Sequence, residues 1–166
     1  PFCGTMSFDT SGRTMMGVTS VEFSDFVKNC SKNLIAYGAN CGVGASDLLR
    51  TILGLKANAL PIIAKGNAGI PKYSDGKIFY NGTPEIMADY ACLARDCGAT
   101  IIGGCCGTTP LHLRHMNHAL HTRLPGPLPT HQLIKKILGD FTSTFDGTGE
   151  TLKPSRTSKR RSKAID

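Results

Sequence analysis

The chain lacks any apolar run near the roughly 20 residues that a bilayer-spanning helix needs. It also lacks a basic-then-apolar signal segment at its start, and it begins on Pro1 without an initiator methionine. We therefore expect a soluble protein with no membrane partner, and a piece of a longer chain. Its 166 residues, of which 40% are hydrophobic, are enough for one ordinary domain with a buried core.

The cysteines lack the spacing of a small disulfide-bonded scaffold. Their number, seven, is odd, and they are spread between residues 3 and 106. This distribution indicates reduced thiols in a cytosolic compartment, so we expect a cytoplasmic location.

Acidic residues are too few to balance the basic ones, and the formal net charge is +7. Residues 151–166 hold six cations and one acid, so this segment carries +5 of that charge. Its Ser, Thr, Lys and Arg composition predicts a disordered, solvated tail. No aromatic residues lie among its cations to stack on bases, so we do not expect nucleic acid as a partner.

Short apolar runs alternate along the chain with segments of helical periodicity. The predicted strands are residues 2–8, 34–37, 61–65 and 99–102. The predicted helices are residues 20–32, 47–56 and 84–97, followed by one that begins at Pro110. The predicted N-caps are Ser46, Thr83 and Thr109, and a long loop with turns at Asp75-Gly76 and Asn81-Gly82 is expected before Thr83.

Strands separated by helices predict an α/β fold with a parallel sheet and right-handed crossovers. Four such βα units are half of a (β/α)8 barrel, or alternatively one small doubly wound sheet. A Rossmann domain is disfavoured, because Gly42-Val43-Gly44 lacks the third glycine of the phosphate-binding motif. We divide the chain into a βα domain at residues 1–124, a Pro-rich linker with a short helix at 125–150, and the basic tail at 151–166.

Three cysteines lie in glycine-rich segments that follow predicted strands. Cys41 follows the second strand, and Cys105 and Cys106 follow the fourth. The carboxyl ends of parallel strands are where α/β proteins carry their chemistry. Three thiolates can hold one Zn²⁺ and leave its fourth tetrahedral position to a substrate. Adjacent cysteines pair poorly in a disulfide, which favours a shared metal; the alternative is that these cysteines are small hydrophobic core residues.

Four motifs occur in the order, and with similar spacing, found in one known family. They are Asp9-Thr10-Ser11-Gly12-Arg13-Thr14, Gly38-Ala39-Asn40-Cys41, Asn67-Ala68-Gly69-Ile70-Pro71 and Gly103-Gly104-Cys105-Cys106-Gly107-Thr108-Thr109-Pro110. Over about residues 3–121 the chain resembles the homocysteine S-methyltransferases. This family includes the betaine-homocysteine methyltransferases and the homocysteine-binding domain of cobalamin-dependent methionine synthases.

The resemblance implies a TIM barrel, of which this chain supplies about the last four βα units and lacks the N-terminal half. It implies that Cys41, Cys105 and Cys106 ligate Zn²⁺, with the homocysteine sulfur in the fourth position. The implied reaction is zinc-dependent transfer of a methyl group to the thiol of homocysteine, which forms methionine. The implied methyl donor is betaine, methylcobalamin or S-methylmethionine.

We expect Asn40, Asn67 and Gly104 to contact the substrate. Asn67 follows the third strand, where its amide could orient homocysteine or act as a weak fourth ligand, or could only occupy a left-handed turn position. Asn40 is expected to shape the turn before Cys41 through bonds to nearby backbone. Gly104 is expected to let the backbone approach the site closely.

Two groups outside this set are predicted to be structural. Asp9, Arg13 and Thr14 are expected to fix a loop through an ion pair and hydrogen bonds, and the alternative is that they contact the substrate or the methyl donor. The four histidines at 112, 115, 118 and 121 recur every three residues, a step that drifts around a helix, so no metal face is expected. Besides an active enzyme, two alternatives stay open: a catalytically inactive zinc-binding fragment, and an RNA-associated protein that uses the basic tail.

Overall fold

The computed structural model describes residues 1–30, 33–55, 59–74, 76–145 and 147. In chain order its elements are β1 (Phe2–Met6), α1 (Ser20–Lys28), β2 (Leu34–Asn40), α2 (Ala45–Gly54), β3 (Ile62–Gly66), β4 (Pro71–Ser74), β5 (Lys77–Tyr80), α3 (Pro84–Asp96), β6 (Ala99–Gly104), α4 (Pro110–Thr122) and α5 (His131–Leu138). The basic tail at 151–166 lies outside the described residues, as do Lys32 and Lys56 at the ends of two predicted helices.

Four strands form one parallel sheet in the order β1-β2-β3-β6. Each connection between neighbours carries a helix, as parallel pairing requires. The prediction of an α/β fold with four βα units is confirmed, whereas a closed eight-stranded barrel stays a prediction. Because the strands are parallel, the residues that follow β2, β3 and β6 emerge side by side at one edge of the sheet.

The core lies between the sheet and the helices. Tyr37 of β2, Leu49 of α2 and Tyr90 of α3 are completely inaccessible to solvent. Burying a side chain the size of Leu49 contributes about 1.5–3 kcal/mol before the loss of conformational entropy is counted. The Tyr90 hydroxyl accepts a hydrogen bond from the Gly66 N–H at 2.9 Å, which ties α3 to the end of β3.

The starts of α3 and α4 follow the predicted caps. The Thr83 hydroxyl accepts a hydrogen bond from the Ile86 N–H, and Pro84 occupies the first turn. The helix ends before Gly98, whose φ of 96° is a conformation that glycine adopts without strain. Thr109 is the N-cap of α4, as predicted.

The predicted N-cap of α2 is wrong. The helix begins at Ala45 after Gly44, which has no side chain to cap it. The Ser46 hydroxyl donates instead to the Asp140 carbonyl at 3.3 Å. A residue 94 positions later therefore determines what this serine does, and no local pattern reports that contact.

Residues 71–74 and 77–80 form the two strands of a β-hairpin where a loop was predicted, and Asp75 of the predicted turn lies outside the described residues. Strands β4 and β5 pair antiparallel, from Pro71 opposite Tyr80 to Ser74 opposite Lys77. Strands of four residues are too short to show a clear alternating pattern, and all of the described hairpin except Tyr80 is exposed. The hairpin follows β3 in the chain, and it therefore begins at the carboxyl edge of the sheet.

Segments beyond α4 pack on the helical layer. Arg95 of α3 donates hydrogen bonds to the carbonyls of Arg123 and Leu124 at 2.8 Å each. Helix α5 packs against α2 and α3, and its Ile134 is fully buried. The longest helices of the described residues have 13 residues, and none is both long and apolar enough to cross a membrane.

Candidate metal centre

The sulfurs of Cys41, Cys105 and Cys106 meet at the carboxyl edge of the sheet. Cys41 directly follows β2, and the other two directly follow β6. The Cys106 Sγ lies 3.5 Å from the Cys41 Sγ and 4.0 Å from the Cys105 Sγ, and all three sulfurs lie within 4.8 Å of one another. Of the described residues, these three form the one His, Cys, Asp or Glu cluster with the spacing of a metal site.

Cys41 lies in a tight turn that requires glycine at the next position. Among the described non-glycine residues it alone has a positive φ, 53°, and it is followed by Gly42 with a φ of 75°. The Cys41 N–H donates to the Lys65 carbonyl at 3.1 Å, which holds the turn against β3. A Cβ on Gly42 would lie 2.0 Å from the Phe8 carbonyl oxygen, so glycine is required there.

Asn67 braces the Cys105–Cys106 loop from the neighbouring strand. Its Oδ1 accepts a hydrogen bond from the Cys106 N–H at 3.0 Å, and the Ala68 N–H donates to the Cys106 carbonyl at 2.9 Å. Asn67 is only 3% exposed. The left-handed turn position proposed for it is wrong, because Gly69, with a φ of 90°, supplies that conformation instead.

Asn40 and Gly104 occupy the same edge as the sulfurs. The predicted bonds from Asn40 to nearby backbone are wrong: its Nδ2 donates to the Ser7 hydroxyl at 3.4 Å, which joins β2 to the segment after β1. A Cβ on Gly104 would lie 2.2 Å from the Thr108 Oγ1, so glycine lets the cysteine loop fold back on β6. That Thr108 Oγ1 is buried and has no hydrogen-bond partner in the part of the chain that the structure describes.

The loop after β1 is organised around Asp9. Its Oδ1 accepts hydrogen bonds from the Ser11 N–H, the Ser11 hydroxyl and the Arg13 N–H. The Arg13 guanidinium donates to the Gly17 carbonyl at 2.9 Å. The loop-fixing role predicted for these residues is thus met by hydrogen bonds to backbone and hydroxyl groups.

The three thiols do not ionise independently. Partial burial raises the pKa of Cys41, but hydrogen bonds to its sulfur outweigh this effect, the largest of them from Cys106, so that the pKa lies below its usual value. Burial and the neighbouring Cys41 raise the pKa of Cys105 above its usual value. Cys41 therefore ionises before Cys105, and its charge opposes further ionisation of the cluster. A divalent cation at the centre would remove that opposition.

The cluster has dimensions that fit a tetrahedral metal ion. For metal–sulfur bonds of about 2.3 Å, two ligand sulfurs of a tetrahedral ion lie roughly 3.8 Å apart. The separations of 3.5 and 4.0 Å at Cys106 fall on either side of this value. The Cys41, Cys105 and Cys106 thiols could therefore hold one ion such as Zn²⁺ with a single tetrahedral position left for another ligand.

Sequence reasoning missed Tyr80 and His112. The Tyr80 ring lies against Gly107, so that a Cβ on that glycine would be 2.3 Å from the Tyr80 Cγ.

The His112 Nδ1 accepts from the Thr109 N–H at 3.1 Å, so its Nε2 carries the proton and donates to the Gly82 carbonyl at 2.9 Å. The regular histidine spacing drew attention to the helix but could not show that one ring crosses to the segment after β5.

The comparison with known protein families finds a match that covers most of the chain. The sequence model described as homocysteine S-methyltransferase matches residues 1–120. The matched range includes all three clustered cysteines and the strands that present them.

Proposed function

The chain belongs to the homocysteine S-methyltransferase family, and from this premise we propose that it takes part in the zinc-dependent transfer of a methyl group to the thiol of homocysteine, with methionine as the product. The observation that carries the proposal is the meeting of the Cys41, Cys105 and Cys106 sulfurs within 4.8 Å of one another. Two separate loops supply these sulfurs, and backbone hydrogen bonds hold both loops in place.

The three cysteines are proposed to hold Zn²⁺ as thiolates, with the homocysteine sulfur in the remaining tetrahedral position. When bound, the ion keeps a substrate thiol ionised at neutral pH, where a free thiol with a pKa of about 8.5 is mostly protonated. Three cysteine thiolates bring one more negative charge than the ion neutralises, so they leave the substrate sulfur electron-rich. A homocysteine thiolate held there would form a bond to the methyl carbon as the carbon's bond to the donor breaks, and the electrons of that bond would leave with the donor.

Asn67 is proposed to act on the protein side of the site. Its Oδ1 is engaged by the Cys106 N–H, while its side chain also forms a hydrogen bond that lowers the pKa of Cys41. We assign Asn67 to holding the sulfurs and orienting homocysteine, with weak ligation of the metal through the second lone pair of its Oδ1 as the alternative. Asn40 and Gly104 lie on the same edge and are proposed to contact the substrate.

Residues 1–124 are proposed to be the C-terminal half of a (β/α)8 barrel in the cytoplasm, joined to a linker at 125–150 and a solvated tail at 151–166. Within the described residues β1 and β6 each pair with a single strand, so both have a free edge to which further strands can add. This observation favours the alternative that the chain binds zinc but needs a complementary N-terminal half for turnover. The methyl donor is proposed to be betaine, methylcobalamin or S-methylmethionine, and no role is assigned to nucleic acid.

Metal analysis of the whole chain tests the site. Chain purified without oxygen and loaded with zinc should hold about one ion per molecule, and Cys106→Ser should lower its zinc affinity by at least about tenfold, because a neutral hydroxyl replaces a thiolate. Cys3→Ser is the matched control, since Cys3 is an exposed free cysteine outside the cluster. Equal zinc affinity in both variants contradicts the assignment.

Methionine formation tests the reaction. The chain is assayed with homocysteine and each donor in turn, first alone and then with the N-terminal half of a family barrel added. Turnover that needs the added half supports the fragment interpretation, and turnover by the chain alone supports an autonomous enzyme. If no donor yields methionine with the half supplied and zinc bound, the proposed reaction is wrong even though the metal site stands.

A further inference from the structure

The side chain of His112 joins the start of α4 to the segment that precedes α3. It is the third residue of α4 and is only 9% exposed. Its Nδ1 accepts from the Thr109 N–H at 3.1 Å, at the start of its own helix. Its Nε2 donates to the Gly82 carbonyl at 2.9 Å, so the ring holds a segment 30 positions earlier in the chain.

The hydrogen bonds continue from Gly82 to Cys106. The Gly82 N–H donates to the Ala68 carbonyl at 2.8 Å, and the Ala68 N–H donates to the Cys106 carbonyl at 2.9 Å. The polypeptide itself leads from Cys106 to His112 through the start of α4. The hydrogen bonds and this stretch of chain therefore form a closed ring.

The Gly82 and Ala68 segments lie in direct backbone contact. A Cβ on Gly82 would lie 2.4 Å from the Ala68 carbonyl carbon, and a Cβ on Gly69 would lie 2.3 Å from the Asn81 Oδ1. Glycine at both positions is what allows this approach. A displacement of Gly82 would therefore move Ala68, and with it the bond that holds the Cys106 carbonyl.

We propose that His112 is a positioning residue, which fixes the Cys105–Cys106 loop at the metal site through Gly82 and Ala68. This inference rests on the proposed zinc site, which it deepens. The Ala68 N–H holds Cys106 directly, and His112 holds the Ala68 segment in place. Loss of groups that hold metal ligands in position typically lowers metal affinity by about 10–100-fold. His112 touches neither the ion nor the substrate.

The two bonds of the imidazole require one chemical form of the ring. A carbonyl oxygen can only accept and a backbone N–H can only donate, so the ring carries its proton on Nε2 and a lone pair on Nδ1. Glutamine offers the same combination, one acceptor and one donor on a planar group. Glutamate can accept from the Thr109 N–H, as in a capping box, but it cannot donate to the Gly82 carbonyl. These two residues therefore separate helix capping from positioning.

Two variants of the full chain test the inference, with zinc affinity measured by competition with a chelator. His112→Glu keeps the cap of α4 but loses the bond to Gly82, so zinc affinity should fall by about tenfold. His112→Gln can keep both bonds and should bind zinc as tightly as the unmodified chain. His118→Glu is the matched control: it makes the same chemical change at an exposed position of the same helix and should leave zinc affinity unchanged.

Hydrogen exchange shows where the effect of His112→Glu lies. The amide hydrogens of Gly82 and Ala68 should exchange faster than in the unmodified chain, while those of α4 keep their rates. A residue that only capped the helix would change neither set, because the glutamate still caps. Nitrogen NMR of the unmodified chain at neutral pH should show the ring proton of His112 on Nε2, and a proton on Nδ1 would contradict the geometry.

The outcomes separate the inference from the function on which it rests. Absence of bound zinc in the unmodified chain overturns the proposed metal site and the inference with it. Zinc binding with equal affinity in His112→Glu and His112→Gln overturns the positioning role while the metal site stands. If neither variant folds, zinc is added to the unmodified chain: because coupling is reciprocal, bound zinc should slow exchange of the Gly82 amide hydrogen, and unchanged exchange contradicts the inference.

Discussion

Two clusters of polar side chains lie in this domain. They differ in whether the charges and hydrogen-bonding groups of the cluster are paired within the chain. In the first, the carboxylate of Asp47 accepts from Arg50 and from the N–H and hydroxyl of Thr142, and Arg50 also donates to the Ser143 carbonyl. In the second, three thiols crowd together, and the charge of one opposes the ionisation of another. The charges of the first cluster are paired within the chain, whereas those of the second oppose each other.

The difference separates a cluster whose charges are paired within the chain from one whose charges oppose each other. Asp47 is 2% exposed and Arg50 is 8% exposed, yet each charge has an opposite charge and hydrogen bonds around it. Such a cluster holds residues 140–143 on α2. In the thiol cluster the charge of one thiolate opposes the ionisation of the next, and a bound cation, as proposed above, would offset this opposition.

The largest effect is expected from Asp47→Ala, which removes the acceptor at the centre of the first cluster. Arg50 would keep a buried charge without its carboxylate, and the free energy of unfolding should fall by about 3–5 kcal/mol. Urea denaturation measures this change. Asp25→Ala is the control, because Asp25 pairs with Lys28 at the surface, where such pairs contribute at most about 1 kcal/mol.

The Asp47→Ala variant also tests whether the two clusters are independent, through its zinc affinity. Residues 140–143 do not contact the thiol loops in any hydrogen bond of the described chain, so zinc affinity of the folded Asp47→Ala protein should equal that of the unmodified protein. A drop in affinity beyond about tenfold would show that the two clusters are coupled, and the distinction drawn between them would fail.

A smaller loss of stability, but a large loss of metal affinity, is expected from Gly42→Ala. Both the positive φ and the Phe8 carbonyl oxygen, 2.0 Å from the new Cβ, oppose the alanine, so the Cys41 turn must move. Gly17→Ala is the matched control, since Gly17 has a similar φ of 82° with no atom within 4 Å of an added Cβ.

The control should cost only the strain of a left-handed alanine, about 1–2 kcal/mol, and leave zinc affinity unchanged. Gly42→Ala should cost more than this and lower zinc affinity by at least about tenfold, measured by competition with a chelator. Equal zinc affinities in the two variants would show that the position of the turn does not govern the site.

The smallest effect is expected from Thr142→Val, which deletes one hydroxyl of the first cluster. The Thr142 N–H continues to donate to Asp47, so only the 2.5 Å hydroxyl bond is lost. The free energy of unfolding should fall by about 1.5 kcal/mol, the contribution of one hydrogen bond to a charged group. Thr144→Val at a nearby position serves as the control in the same denaturation assay, and an equal loss in both variants would contradict the special role of Thr142.

Much of this fold could be predicted because its signals are local. Thr83-Pro84 and Thr109-Pro110 mark helix starts through their own hydroxyls and fixed φ angles, and the structure has helices there. The glycine-rich segments around Cys41 and Cys106 could be recognised as tight turns after strands, because such turns exclude residues with a side chain. The hairpin at 71–80 was missed because two strands of four residues have too few positions to show a period.

Other parts could not be predicted, because the partner of each group lies far along the chain. Ser46 would cap a helix by its neighbours alone, and Asn40 would bond nearby backbone, but each side chain reaches a group brought close only by packing. The same holds for Tyr80, whose place against Gly107 depends on how the hairpin returns to the sheet.

The sequence by itself determined the alternation of strands and helices, the family and the three cysteines at strand ends, because residue period, turn chemistry and motif spacing are properties of neighbouring residues. Only the tertiary structure decided that the sulfurs lie 3.5 and 4.0 Å apart at Cys106, that Asn67 braces their loop and that Tyr80 stands beside them. Those distances depend on the order of β2, β3 and β6 in the sheet, which is a result of long-range packing.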